Sequence, residues 1–240
     1  MTQALPCAAQ DEMTRIQNLL QQGFRWLLFP QDLEQTFLKD LDPARRRHIL
    51  LSGLIALLIF NGFLLADYLM LPDVFWQAFE IRVLVFTPAA LLILGLFWRA
   101  PPLVQRLSPH AIEVIVMVSG LGAAACLAYI LASTHSQYGY LYHVGFMVVI
   151  MYGNVVQRLR FWYAVIFSTV LVAIHIGGVL SLPAFPTRMM LPIMSLVCAS
   201  AAFTLTACYF LERDERRRYL LTARERLLIR ELTAAQARLR

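Results

Sequence analysis

Ionisable side chains are rare in the apolar parts of this chain, so each one is a candidate for chemistry. The hydropathy pattern places Asp67, Glu80, Arg82, Tyr142, His143 and His175 towards one and the same end of successive apolar runs. Two imidazoles with a carboxylate from Asp67 or Glu80 could ligate a transition metal or haem, or bind a small polar signal. All six residues are candidate ligand-binding groups, and His143 and His175 are the candidate metal ligands. A plainer reading pairs Arg82 with a carboxylate and lets the histidines bond to backbone or to the tyrosines around the same connector, where His135, Tyr138 and Tyr140 also lie. No serine–histidine, HExxH or paired-aspartate pattern occurs, so no residue is given a catalytic role and no cofactor is specified.

The elements that must position these groups follow from composition. Of 240 residues, 59% are hydrophobic and 15% charged, which excludes a disordered tail and an ordinary soluble domain. Six apolar runs are close to bilayer length: about 49–71, 81–98, 111–132, 141–156, 161–182 and 189–211. The expected fold is all-α, a polytopic membrane protein of six transmembrane helices. Pro88 is expected to kink the second run. Gly122 with Cys126, and Ser195 with Ala199, place small residues four apart for close helix packing. None of the cysteines, Cys7, Cys126, Cys198 and Cys208, forms a C-x-x-C pair, so neither a disulfide framework nor a zinc site is signalled.

Charge orients the bundle. The net charge is +6, from 21 basic and 15 acidic residues, and the arginines flank the apolar runs as membrane topology requires rather than forming a nucleic-acid face. With a cytoplasmic N-terminus, the inner side holds Arg45, Arg46, Arg47, Arg99, Arg106, Arg158, Arg160, Arg213, Arg216, Arg217 and Arg218. The outer side holds only Arg82 and Arg188. Both termini are therefore expected in the cytoplasm. The outer connectors, Pro72–Glu80, Ser133–Tyr140 and Pro183–Arg188, are too short for a folded partner, so any signal should be small, lipid-borne or intramembrane.

Three segments result. Residues 1–48 are cytoplasmic amphipathic helices, one over 11–29 and a second over 32–44. Residues 49–211 are the bundle. Residues 212–240 lack Gly and Pro and continue as a cytoplasmic helix whose Leu221, Leu228, Leu232 and Leu239 follow a coiled-coil rhythm, with Glu225 as a polar intrusion. The stripe is still running at Arg240, as expected of the front part of a longer chain with an output domain.

Three stretches carry a family likeness: Phe29-Pro30-x-x-Leu33-Glu34-x-x-Phe37 before Arg45-Arg46-Arg47; Tyr142-His143-x-Gly145, then Tyr152-Gly153-Asn154-Val155-Val156-x-Arg158-Leu159-Arg160-Phe161; and Glu212-Arg213-x-Glu215-Arg216-Arg217-Arg218 before a leucine helix. Together they resemble the six-span membrane-associated sensor (MASE-like) modules of bacterial signalling proteins. The resemblance implies an inner-membrane sensor and dimerisation module regulating a C-terminal GGDEF diguanylate cyclase, which makes cyclic di-GMP. A class III adenylyl cyclase or a histidine kinase is the alternative output. The 240 residues contain no GG[DE]EF signature, so the family's catalysis is carried onto no residue. The partners expected are a second copy of the chain, the bilayer and a small or lipid-borne ligand, with no nucleic acid. A stand-alone small-molecule transporter is the rival class, although no internal repeat supports it.

Overall fold

The computed structural model describes residues 7–24, 26–99, 106–136, 138–180 and 187–239. The expected connector Pro183–Arg188 lies mostly outside them, as do the side chains of Tyr140 and Leu239. Every regular element among the described residues is helical: α1 (Cys7–Gln22), α2 (Gln31–Gly62), α3 (Leu64–Met70), α4 (Phe75–Phe79), α5 (Thr87–Arg99), α6 (Pro109–Ser133), α7 (Val144–Met151), α8 (Phe161–Leu180) and α9 (Thr187–Leu239). A π-helical turn, Glu80–Phe86, joins α4 to α5, and a second, Tyr152–Val156, ends α7. A 3₁₀ turn, Gly139–His143, leads into α7. Five of the resulting rods are long and apolar enough to cross a membrane, and Leu141–Val156 is a shorter apolar helix. Their outer faces are strongly apolar: Leu58 is 77% exposed and Phe203 76%, which hydrocarbon tolerates and water does not.

The chain divides into two compact units, Met1–Leu38 with Tyr209–Arg240, and Lys39–Cys208. Both boundaries fall inside continuous helices, whereas the composition change suggests boundaries at 48/49 and 211/212. The expected short helix over 32–44 is not separate from the first apolar run. One helix, Gln31–Gly62, carries both, with Pro43 inside it. Pro43 removes a single rung, and no glycine near it offers the chain another path. The Asp42–Arg46 ion pair, at 2.7 Å and four residues apart, spans the proline.

Within the Lys39–Cys208 unit, α6 opens with Ser108 as its cap, the Ser108 hydroxyl accepting from Ala111 N at 3.2 Å, and Pro109 occupies the first turn. Gly122 faces Phe86, and Cys126 packs with Phe60 and Ala123, so that small-residue face is used inside the chain. Pro88 makes itself felt one turn early. It has no N–H for the carbonyl four residues back, and the ladder slips into the π turn. The Thr87 hydroxyl caps the displaced Arg82 carbonyl at 2.7 Å.

Candidate functional site

The π turn Glu80–Phe86 turns Arg82 fully into the core, 0% exposed. Its guanidinium is met on every side. Nε donates to Asp67 Oδ2 at 2.7 Å, Nη1 to the Phe60 carbonyl at 3.0 Å, and Nη2 to the Tyr142 hydroxyl. The Tyr142 hydroxyl in turn donates to Asp67 Oδ1 at 2.7 Å, closing a triangle of Asp67, Arg82 and Tyr142. The Phe60 ring lies 4.4 Å from the guanidinium carbon. A charge pair so deep is tolerable because every polar atom finds a partner. Three of the six expected ligand-binding residues thus form one network. Glu80 does not join it: its side chain is exposed, and Asp67 alone supplies the carboxylate for Arg82.

His143 and His175 meet in the same unit. His175 Nε2 lies 2.7 Å from His143 Nδ1, the rings are perpendicular, and Phe146 packs edge-on against His175. Both are buried. At that separation one nitrogen must donate and the other accept, so the bond needs at least one imidazole neutral. The expected third ligand is absent from the pair, because Asp67 is committed to Arg82 and Glu80 is exposed. Among the described residues no group of three or more His, Cys, Asp or Glu could hold a metal ion. His135 contributes its backbone: its N–H and the Thr134 hydroxyl bond the Asp73 carboxylate, tying the connector before Tyr138 to the one after α3.

A second network, largely unforeseen, gathers round the inner ends of the expected spans. Arg45 Nε and Nη2 grip both Glu113 oxygens at 2.8 and 2.9 Å, and Nη1 donates to the Gln157 carbonyl at 2.6 Å. The Gln157 side-chain oxygen accepts from Ser52 at 2.6 Å and from the Tyr152 hydroxyl. Arg160 stands 3.8 Å from Glu113, so the closer cation is Arg45. Periodicity held the signal: Arg45, Ile49 and Ser52 step by four and three, so one arginine of the triplet shares the buried face. Asn154, inside the second π turn, donates to Ser168 at 2.9 Å and Thr204 at 2.9 Å, linking α8 and α9. Arg158 takes a left-handed φ of 53°, which turns the chain into α8.

In the other unit, the Phe29–Phe37 motif and the Glu212–Arg218 run are partners. Arg216 is 2% exposed, pairs with Glu34 at 2.6 and 2.9 Å and with Glu212 at 2.9 Å, and lies over the rings of Phe29 and Phe37. Burial pulls its pKa down, and the two carboxylates more than offset this, holding it above the ordinary value. Glu34 also accepts the Phe29 N–H at 2.9 Å, and Tyr219 stacks edge-on against Phe37. On the same helix Leu220 is fully buried, whereas Leu221, Leu228 and Leu232 are 38%, 41% and 66% exposed.

No protein-family model, no curated protein and no solved structure matches this chain.

Proposed function

We propose that the chain is the membrane input and dimerisation module of a signal-transduction protein. Six spans with both ends in the cytoplasm hold a buried polar core, and α9 carries its state to an output domain. The observation that carries this reading is the continuity of α9. At 53 residues it is about 80 Å long, far more than the roughly 30 Å of a bilayer core. It begins in the last apolar run and ends in a leucine stripe with heptad spacing left exposed in the single chain. A second copy pairing along Leu221, Leu228 and Leu232 would cover that stripe. Eleven inner arginines against two outer ones support the orientation.

The resemblance of the Phe29, Tyr142 and Glu212 motifs to sensor modules supports a diguanylate cyclase as the output, in a bacterial inner membrane. An adenylyl cyclase or histidine kinase in its place would be driven the same way, through rotation or register of paired helices. The test is a series of alanine insertions after Thr222, downstream of the Arg216 pairings, in the full-length protein. Cyclic di-GMP output should rise and fall with the helical repeat as residues are added. Output indifferent to phase would remove the helix-transmission mechanism.

A further inference from the structure

A partly open pocket of about 330 Å³ lies in the Lys39–Cys208 unit, its rim reaching the exposed Ile59 and Met151, and neither the polar networks nor the output helix accounts for it. Alanines on separate helices border it: Ala56 on α2, Ala90 on α5 and Ala123 on α6. Leu57, Leu94, Phe86 and Val149 supply apolar walls. The polar side chains of the lining are already engaged: Ser119 donates to the Ile115 carbonyl at 2.9 Å. Arg82 is held by Asp67, Tyr142 and the Phe60 carbonyl, and Tyr152 is bonded to Gln157.

We propose that this cavity binds a free, uncharged lipophile with an alkyl chain of about twelve carbons. An apolar void of roughly 150 Å³ admits one benzene ring, so this volume takes about two rings' worth of carbon. Water is a poor occupant, because the walls offer it too few partners. Leaving the space empty strips the wall atoms of contacts on one side. A charged head has no counter-ion here, since the lining guanidinium is already neutralised by Asp67. An acyl tail of a bilayer phospholipid is the competing occupant, and competition by added phosphatidylcholine separates it from a free lipophile. An uncharged lipophile partitions into the surrounding hydrocarbon and reaches the site from there. This binding step goes beyond the signalling role and does not depend on it.

The full chain, reconstituted in phosphatidylcholine vesicles, is photolabelled with a dodecanol analogue carrying a mid-chain diazirine. Labelling is expected on the peptides holding Gly53–Phe60 and Ala90–Phe97, displaced by unlabelled dodecanol but not by added phosphatidylcholine. Across alcohols from about six to about sixteen carbons, displacement should peak near twelve. In the double variant Ala90→Leu/Ala123→Leu, labelling of those peptides should fall about tenfold as the space of a few methylenes is taken away. Wild-type displacement with no chain-length optimum overturns the proposal even if that variant fails to fold. Equal competition by phosphatidylcholine overturns it in favour of a bilayer acyl tail.

Discussion

Glu34 and Arg216, 182 residues apart, are joined by two parallel hydrogen bonds in which each guanidinium Nη finds its own carboxylate oxygen. The pair ties the start of α2 to α9, and Phe29 and Phe37 shield it. Bidentate geometry under aromatic cover makes it stronger than a surface ion pair. Arg216→Ala should cost about 3 kcal/mol of unfolding free energy, because Glu34 and Glu212 lose the buried cation between them. A double-mutant cycle with Glu34→Gln should show a coupling of at least about 1 kcal/mol; additive losses would mean the two residues act separately.

Asp67→Ala should destabilise the chain by about 3–5 kcal/mol, since Arg82 would be left charged and alone in the core. Asp67→Leu combined with Arg82→Met should recover much of that loss, as apolar replacement of a buried pair is often neutral. Thermal unfolding in detergent compares the three. A double variant no better than Asp67→Ala would show that the network contributes more than charge balance.

At the same end of α2, Arg15 donates to Asp32 at 2.6 and 2.7 Å. That hydrogen bond is the main reason the Asp32 pKa lies at about 2 rather than 3.8. A depressed carboxylate pKa means the pair's contribution is present above pH 3.8 and lost as pH falls through about 2. Both groups are exposed, so the effect on stability is small. Carbon-detected NMR of the Asp32 carboxyl should show its titration moving up towards 3.8 in Arg15→Gln, and an unmoved midpoint would refute the assignment.

Phe167 is wedged between two glycines. A Cβ on Gly153 would lie 2.5 Å from Phe167 Cε1, and one on Gly120 would lie 2.8 Å from Cε2. Gly153→Ala should therefore cost about 1–3 kcal/mol through forced displacement of a buried ring. Phe167→Leu in the same background should restore part of it. If Gly153→Ala is neutral in thermal unfolding, the ring yields more easily than a packed core allows.

Hydropathy made the apolar rods legible, and rarity made Asp67, Arg82, Tyr142 and the two histidines legible as candidates. Both follow from residue type and spacing alone. Which groups converge did not follow. Asp67 and Glu80 look equivalent in sequence, and only the slip of the helix ahead of Pro88 turns Arg82 towards Asp67 while leaving Glu80 outside. Arg45 was hidden among neighbours of the same kind, although its spacing to Ile49 and Ser52 carried the information. Glu34 with Arg216 was beyond reach, because nothing local to either motif states a partner so far along the chain.

The π turn at Glu80–Phe86 also bears on how such a chain can change over generations. It holds one residue more than an α turn has room for. Loss of a single codon there would leave an ordinary helix rather than a broken one, with Arg82 swung about 100° relative to the residues beyond. Hydropathy would barely register the deletion. Two chains almost identical in profile would then differ in whether they possess a buried charge network at all.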